Sequence, residues 1–338
     1  MFSNAEISSI LNLFRVLEMT KARSQLMEKV MSNLEEAGFD LSSQCDVRPS
    51  CFDLVARRGG QLILIKVLAN VDALTKEDAV TLQQVAHFFN ATALVVGEKS
   101  RRGMLEEGTV YKRYGVYTMT PPSFRTMATE GEPPRELIQR GGRFVAIDGS
   151  KLRKARESLR MTQEELAQCI EVSARAVLAY EKEEMDISSD VAERLEKVLE
   201  TDIIIPIDVL SEPVRHRHIE QPKVRQDISD LEKRVNEFFE RLGMKVLWTD
   251  RAPFHVAAKE EGPPVMSGVG SLKSWTLQKR MEILKSVSKV AESNVVIIVE
   301  EGKAEEQVSD LPVIRQLELD EIEKPSELKK IIEERSGA

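Results

Sequence analysis

The chain of 338 residues lacks the features that several large protein classes require. Its three cysteines, Cys45, Cys51 and Cys169, show no CxxC spacing, so we expect neither a disulfide framework nor a zinc site. No apolar run approaches the ~18 residues of a membrane-spanning helix. Charged residues occupy the start of the chain, where a signal peptide would need an apolar stretch. We therefore expect a cytoplasmic protein without a membrane partner.

Several motifs of enzyme chemistry are also absent. The sequence contains no GxxxxGK[ST] or GxGxxG phosphate-binding loop and no HExxH metal motif, and no order of Ser, His and Asp stands out. These absences predict no bound cofactor and no metal. The composition, with 42% hydrophobic and 31% charged residues, is that of an ordinary globular protein, and the length favours two or three domains.

The most specific pattern present is a pair of short helices joined by a tight turn, from Thr162 to Glu181. Thr162 and Glu165 form a T-x-x-E capping box at the start of the first helix. Ser173 is a good N-cap for the second helix, and the small Ala167 permits the two helices to approach closely. The predicted inward positions are Leu166, Ala167, Ile170, Val172, Val177 and Tyr180. Cys169 is also expected inside this core.

Two amphipathic segments flank the pair and predict a compact all-α domain over Val145 to Ile204. The segment Ser150 to Ser158 repeats apolar residues at helical spacing, as does the segment Ser188 to Leu199. Their predicted inward residues are Leu152, Ala155 and Leu159 in the first, and Ala192, Leu195 and Val198 in the second.

The Thr162 to Glu181 pattern resembles the Cro/repressor-type helix-turn-helix family. The resemblance implies that the second helix of the pair lies in the major groove of duplex DNA. Carried over by position, Gln163 and Ser173 would contact phosphates, Ala174, Arg175 and Ala179 would face base edges, and Leu178 would lie nearby. The remaining implied DNA-binding residues are Thr162, Glu181, Lys182 and Arg156.

Two positions depart from the family pattern. Glu171 stands at the turn where the family usually has Gly, and a non-Gly residue at positive φ costs about 1 kcal/mol. The expected base-reading face holds one strong hydrogen-bond donor, Arg175, which suits guanine. We therefore expect modest base discrimination, or recognition through thymine methyl groups and DNA shape.

The net charge of −8 argues at first against nucleic acid, but its distribution does not. Basic residues cluster in and just after the helix before the motif, whereas the acids of this domain follow the motif. The clustered cations are Lys151, Arg153, Lys154, Arg156 and Arg160. A basic face on an acidic body is compatible with DNA binding, although a merely solvated helix remains the alternative for this cluster.

The segments before and after the central domain share one order of predicted elements, about two hundred positions apart. Each has an amphipathic helix ending near Gly, a hairpin pattern, a long helix, an apolar strand and a final strand and helix. The hairpin patterns are Arg48 to Arg58 and Arg251 to Lys259. The segment between Pro213 and Pro222 contains Arg215, His216, Arg217 and His218, which we interpret as a linker or a basic arm.

The first copy resembles the PD-(D/E)xK fold of restriction enzymes and Holliday-junction resolvases. In that fold carboxylates and a Lys hold Mg²⁺ and activate water, and Asp53 and Lys66 stand at the matching positions. Leu64 replaces the second carboxylate, which leaves a weak Mg²⁺ site unless Glu77 or Glu28 reaches in. In the second copy His255 replaces Asp53, and Pro263-Pro264 is expected to interrupt the following strand. Both centres are interpreted as degenerate remnants without catalysis.

As a whole, the chain resembles an archaeal family of helix-turn-helix transcriptional regulatory proteins. The expected architecture is α+β multidomain, with a nuclease-like α/β domain over 1–135, the helix-turn-helix domain over 145–204, a linker over 205–227 and a second nuclease-like domain over 228–338. The expected function is a homodimeric regulator that binds double-stranded DNA and is not an enzyme. A helix-turn-helix-targeted Mg²⁺-dependent nuclease and a protein-interaction scaffold are the alternatives.

Overall fold

The computed structural model describes residues 21–210, 229–300 and 302–336. The chain forms two compact units. The first contains residues up to Leu68, Asp72–Leu94 and the chain from Leu210 onward. The second contains Ala69–Val71 and Val95–Val209. The segment between Pro213 and Pro222 lies outside the described residues.

The N-terminal part of the first unit is a helix followed by antiparallel strands. Helix α1 covers residues 21–36, and Gly38, in the turn that follows it, has φ of +78°. The next elements are strands β1 (Asp40–Leu41), β2 (Leu54–Arg58) and β3 (Gln61–Asn70), helix α2 (Lys76–Phe88) and strand β4 (Thr92–Ser100). Strand β2 pairs with β1 and with β3 in antiparallel fashion, and Gly59 at φ of +55° makes the turn between β2 and β3.

Continuous burial explains why β3 and β4 contain apolar runs rather than alternating residues. Leu62 through Val67 are all buried in β3, and Thr92 through Val96 are all buried in β4. A strand covered on both faces has apolar residues at every position. The predicted hairpin from Arg48 to Arg58 is shorter than expected, because only Leu54–Arg58 forms a strand and the preceding residues form a loop.

The C-terminal part of the first unit has its own sheet. Helix α8 (Asp230–Arg241) comes first, and α9 (Trp275–Ala291) and α10 (Pro325–Arg335) follow. The sheet order is β12-β13-β14-β15-β17-β16, with strands β12 (Lys245–Trp248), β13 (Val256–Lys259), β14 (Val265–Gly270), β15 (Val295–Val299), β16 (Gln307–Val308) and β17 (Leu311–Arg315). β14, β15 and β17 run parallel, and the core includes Phe238, Phe239, Val296, Ile298 and Ile314.

Pro263 and Pro264 do not interrupt the strand after them, so that expectation is wrong. β14 begins at the next residue, Val265, and pairs with β13 on one side and β15 on the other. The prolines lie in the turn that precedes the strand, where no ladder N–H is required.

Near the end of this part, Glu318 accepts hydrogen bonds from Arg315 at 2.8 Å and from Arg335 at 2.6 Å. Burial raises the pKa of Glu318, but these hydrogen bonds outweigh burial and hold its pKa at about 2.

The second unit combines a sheet with five α-helices among its described residues. β4 continues into it, and strands β5 (Gly103–Met104), β6 (Thr109–Arg113), β7 (Val116–Met119), β8 (Glu136–Gln139) and β9 (Gly142–Ile147) follow, with a short helix α3 (Pro121–Arg125) after β7. The sheet order in this unit is β4-β7-β6-β8-β9, and β5 pairs with β4. Helices α4 (Gly149–Ser158), α5 (Gln163–Cys169), α6 (Ala174–Glu181) and α7 (Ser189–Leu199) come next.

The sequence predicted an all-α central domain, and this prediction is wrong because the domain also contains two short strands. β10 (Ile187–Ser188) and β11 (Ile204–Ile205) both pair with β9 in antiparallel fashion. The pairing satisfies backbone groups on both sides of α7 and holds that helix against β9. Burial also differs from expectation at two positions, since Leu159 is 50% exposed and Cys169 is exposed.

Candidate nucleic-acid interface

The helix-turn-helix is built from two capped helices and a tight turn. The Thr162 hydroxyl accepts from the Glu165 N–H at 3.1 Å, and the Glu165 carboxylate accepts from the Thr162 N–H at 2.8 Å. This confirms the predicted capping box. The Ser173 hydroxyl caps α6 by accepting from the Ala176 N–H at 3.2 Å. Glu171 adopts φ of +58°, so the turn does form with a non-Gly residue in the left-handed region.

The inner face of the pair is buried as the sequence predicted. Leu166, Ile170 and Val177 are fully buried, and Ala167 and Tyr180 are nearly so. Val172 and Ala174 are half-buried against the same cluster, to which α4 contributes Leu152 and α7 contributes Ala192 and Leu195. Burial of apolar surface is worth about 25 cal/mol per Å². Helices as short as α5 and α6 are marginally stable alone, so packing against this shared core holds them at their mutual angle.

Gly149 allows α4 to begin directly against the end of α6. A Cβ at this position would lie 2.5 Å from the Glu181 carbonyl oxygen and 2.8 Å from that of Tyr180. The Gly149 N–H also donates to the Glu183 carboxylate at 3.0 Å. Only glycine fits this approach, a requirement that the sequence analysis did not recognise.

A buried ion pair connects α4 to α6. Arg156 Nε donates to Glu181 Oε1 at 2.6 Å, and the two side chains are 10% and 4% exposed. Arg156 Nη1 donates to the Met161 carbonyl at 2.7 Å, and Gln163 Nε2 donates to Glu181 Oε2 at 2.8 Å. The structure therefore places Arg156 and Glu181 inside the domain, where they orient Gln163 at the start of α5, rather than on its surface.

The outer face of α6 is exposed and carries the remaining residues that the sequence singled out. Ser173, Arg175 and Lys182 are exposed, Leu178 is 38% exposed, and Ala174 and Ala179 are half-buried. Thr162 is exposed at the start of α5. These side chains lie on one continuous surface at the turn and along α6, and Arg175 is its one guanidinium.

The predicted basic cluster on α4 is smaller in the structure. Arg153 pairs with Glu157 at 2.8 Å, Arg156 is buried, and Lys151 donates to the Asp202 carbonyl at 3.3 Å. Within the described ranges, no ion-pair partner is found for Lys154 or Arg160. A neutral carbonyl does not cancel the charge of Lys151, so three cations of the predicted five, Lys151, Lys154 and Arg160, are left without an ion-pair partner among the described residues to contribute positive potential.

Asp53, the candidate nuclease residue, is fully buried and surrounded by cations. Its Oδ1 accepts from Arg23 at 2.8 Å and from Arg48 at 3.1 Å, and lies 3.6 Å from Lys66 Nζ. Its Oδ2 accepts from the Val67 N–H at 2.9 Å. The sequence correctly paired Asp53 with Lys66 but missed Arg23 and Arg48, which come from α1 and from the loop before β2.

Across the described part of the chain, the candidate positions for a second carboxylate do not complete a metal site at Asp53. Leu64 is buried on β3, Glu28 is exposed on α1, and Glu77 binds Arg251 at 2.7 Å. Among the described residues, no group of three or more His, Cys, Asp or Glu side chains is arranged to hold a metal ion. Arginine and lysine side chains thus balance the charge of Asp53, whereas in a metal-dependent enzyme a metal ion would do so.

Two buried thiols lie close to Asp53. The Cys45 N–H donates to the Asp53 carbonyl at 2.8 Å. Burial raises the pKa of Cys51 to about 12, although Lys66 lowers it, and burial with the Asp53 charge raises the pKa of Cys45. Both thiols are therefore protonated and poor nucleophiles at neutral pH.

The C-terminal sheet places His255 in the same backbone setting as Asp53. The Asp53 N–H donates to the Ile65 carbonyl, and the His255 N–H donates to the Ser267 carbonyl. The Val67 N–H donates to Asp53, and the Val269 N–H donates to His255 Nδ1, both at 2.9 Å. This register puts Gly268 at the position of Lys66. A Cβ there would lie 3.0 Å from Ile297, so α9 and β15 leave little room for a lysine.

Comparison with known proteins identifies two domain families in the chain. A PD-(D/E)XK superfamily domain model matches residues 23–134, and a helix-turn-helix model matches residues 152–204. Proteins named "Putative HTH-type transcriptional regulatory protein" align along almost the whole chain. The one from Thermococcus kodakarensis is 35% identical over 92% of this chain and 96% of its own length. The one from Pyrococcus horikoshii is 36% identical over 92% of this chain and 97% of its own length. The one from Pyrococcus furiosus is 35% identical over 92% of this chain and 98% of its own length.

The chain belongs to this archaeal family. Its helix-turn-helix and its PD-(D/E)XK domain are both members of known domain families. No solved structure matches the chain. No helix among the described residues is long and apolar enough to cross a membrane.

Proposed function

We propose that this protein regulates transcription by binding double-stranded DNA through α5 and α6. The observation that carries the proposal is the exposed face of α6, which the capped turn at Ser173 holds away from the core with Arg175 and Lys182 pointing to solvent. The names of the relatives and the helix-turn-helix match support the same function.

In this proposal α6 enters the major groove. Arg175 donates two hydrogen bonds to a guanine, and Ala174, Leu178 and Ala179 make apolar contacts with thymine methyl groups. Ser173, at the N-terminus of α6, contacts a phosphate. With one strong donor, the protein reads few base pairs directly, and the shape of the DNA supplies much of the remaining specificity.

Phosphate contacts hold the domain in register on the duplex. Gln163 is oriented by Glu181, and Thr162 and Lys182 are exposed on either side of the α6 face. Helix N-termini and hydroxyl groups are common phosphate ligands. Arg156 and Glu181 act by positioning Gln163, since both side chains are buried.

We propose a homodimer as the DNA-bound form. One helix-turn-helix reads one half-site, and the family of folds usually pairs two such units about 34 Å apart along the duplex. An inverted repeat with that spacing is the expected operator, and the cytoplasm is the expected compartment.

The nuclease-like domain is proposed to have no catalytic activity. Mg²⁺ binds to oxygen ligands, usually one or two carboxylates with phosphate oxygens. Asp53 instead binds Arg23 and Arg48, with Lys66 nearby, and Leu64 offers no oxygen. Repulsion from three cations opposes the entry of a divalent metal at this carboxylate.

We further propose that the helix-turn-helix domain, residues 145–204, lies in sequence between two nuclease-like domains, 1–135 and 228–338, with a linker over 205–227. The matching backbone settings of Asp53 and His255, and the shared strand order β2-β3-β4 and β13-β14-β15, support this reading of the C-terminal part. His255 and Gly268 then mark a copy whose metal chemistry is lost.

Fluorescence anisotropy with short duplexes of mixed sequence tests DNA binding. Phosphate contacts give an affinity that falls steeply with salt concentration. Arg175→Ala should weaken binding to a selected operator by about 1–3 kcal/mol, with a much smaller loss on random duplex. Lys182→Ala should weaken both equally and reduce the salt slope by about one unit.

Lys197→Ala is the matched control, because Lys197 is exposed on α7 in the same domain. It should leave the affinity unchanged. Salt-independent or undetectable binding would instead favour an interaction scaffold. A separate assay with Mg²⁺ on duplex, branched and single-stranded DNA should show no cleavage. Cleavage that Asp53→Asn abolishes would contradict the non-catalytic proposal.

A further inference from the structure

The two nuclease-like copies in the first compact unit contact each other through equivalent positions. Arg57, at the end of β2, donates to the Val290 carbonyl at 2.6 Å and to the Ala291 carbonyl at 2.9 Å, at the end of α9. Lys259, at the end of β13, donates to the Phe88 carbonyl at 2.5 Å, at the end of α2. Each copy thus places a cation on the C-terminal carbonyls of the other copy's long helix, where helix dipoles favour positive charge.

The residues that make these contacts also lie at equivalent positions in the two copies. Equivalent residues of the two copies are 202 positions apart in the sequence. This interval separates Asp53 from His255, Arg57 from Lys259, and Phe88 from Val290. A contact in which residue i of one copy meets residue j of the other, and j meets i, defines a two-fold interface. The two copies of one chain are therefore paired around an approximate two-fold axis.

Ion pairs at the same interface join the long helix of each copy to a loop of the other, with opposite signs in the two directions, although the loop residues Asp46 and Arg251 are not at equivalent positions. Glu77, near the start of α2, pairs with Arg251 at 2.7 Å, as does Asp78. Lys279, 202 positions after Glu77 and on α9, pairs with Asp46 at 2.8 Å. Arg251 and Asp46 both lie in the loops that precede the equivalent strands β13 and β2. The first copy supplies acid on the helix and acid on the loop, and the second supplies base on both.

We propose that this charge arrangement makes the second copy the specific partner of the first and excludes pairing of like copies. Two first copies would bring Glu77 against Asp46, and two second copies would bring Lys279 against Arg251. Like charges placed opposite one another at an interface cost several kcal/mol and exclude wrong partners. The pairing surface of the first copy is therefore filled within its own chain.

Uncharged contacts also cross the same surface. The Phe89 and Phe254 rings lie 5.6 Å apart between centroids, and the Cys51 N–H donates to the Arg251 carbonyl at 2.7 Å. Partial burial of Arg251, whose side chain is 26% exposed, strengthens its attraction to Asp78, which is 18% exposed. A homodimer of the whole protein must then use a surface other than this one.

The full-length protein tests the proposal after a protease site is placed between residues 211 and 228. Cleavage should leave the two pieces bound in equal numbers on native mass spectrometry, also within any homodimer formed through another surface, and no species should contain one kind of piece alone. Exchange of the C-terminal piece with a tagged copy then gives the dissociation rate. Arg251→Glu should raise that rate about 30-fold or more.

Rescue separates a charge effect from misfolding. Adding Glu77→Arg and Asp78→Arg to Arg251→Glu should restore most of the slow rate, because the signs are again opposite. Arg234→Glu is the control, since Arg234 pairs with Asp320 inside the second copy. Pieces that separate at once, species that contain one kind of piece alone, an unchanged rate in Arg251→Glu, or failure of the rescue would each overturn the proposal.

Discussion

Replacing Arg156 with alanine should strongly destabilise the helix-turn-helix. The substitution removes the guanidinium that donates to Glu181 at 2.6 Å and to the Met161 carbonyl at 2.7 Å. The Glu181 side chain, 4% exposed, then keeps the hydrogen bond from the Gln163 amide but loses its countercharge. Breaking a buried pair by removing one partner costs about 3–5 kcal/mol.

Hydrogen exchange measured by mass spectrometry is the appropriate assay, because the chain has two compact units and a single unfolding free energy would mix them. A loss of 3–5 kcal/mol corresponds to a decrease of about 100- to 4000-fold in amide protection. The decrease should appear in peptides from α4, α5 and α6. Peptides from β13 to β15, in the other unit, should keep their wild-type protection.

Two further variants separate charge burial from a general loss of packing. Arg153→Ala removes a solvent-exposed pair with Glu157, so amide protection should stay close to that of the wild type. The double variant Arg156→Met with Glu181→Leu should recover most of the lost protection, since no buried charge remains. A change of less than about tenfold in Arg156→Ala would refute the reasoning.

Three other predictions follow from single sites. Gly149→Ala should reduce protection of α4 by about 1–3 kcal/mol in the same exchange assay, because its Cβ would meet backbone oxygens, and normal protection would contradict this. Native thiol labelling should modify Cys169 alone, with Cys45 and Cys51 reacting only after denaturation; a fast second label would disprove their burial. Because the folded pKa of Glu318, about 2, lies below its usual 4.5, its stabilisation is present above pH 4.5 and is lost as pH falls towards 2. Glu318→Gln should flatten that acid dependence in a fluorescence titration, and an unchanged curve would exclude the mechanism.

Local sequence signals predicted the helix-turn-helix well. Capping residues act over three positions, so Thr162, Glu165 and Ser173 could be recognised without any tertiary information. Apolar spacing also identified the inner face. The predicted burial of Leu159 and Cys169 is wrong. Helical spacing predicts which residues share a face of the helix, but it does not predict which part of that face another element covers.

Long-range contacts were beyond the reach of local patterns. Arg156 looked like a surface cation within a basic cluster, but Glu181, twenty-five positions later, buries it. The surroundings of Asp53 were missed for the same reason, since Arg23 comes from a separate helix. The pairing of β13 with β14 shows that Gly268 occupies the position equivalent to Lys66. The sequence did not show this, because the prolines before β14 suggested an interruption.

Mapping the genomic DNA that the protein binds in cells, for wild type and Arg175→Ala in parallel, tests the central claim most directly. If a homodimer reads DNA through α6, the wild type should occupy discrete sites that share an inverted repeat with a guanine in each half, and the variant should show relaxed preference at that guanine. Absence of enriched sites for the wild type, or the same motif with the same base preference in both proteins, would contradict it.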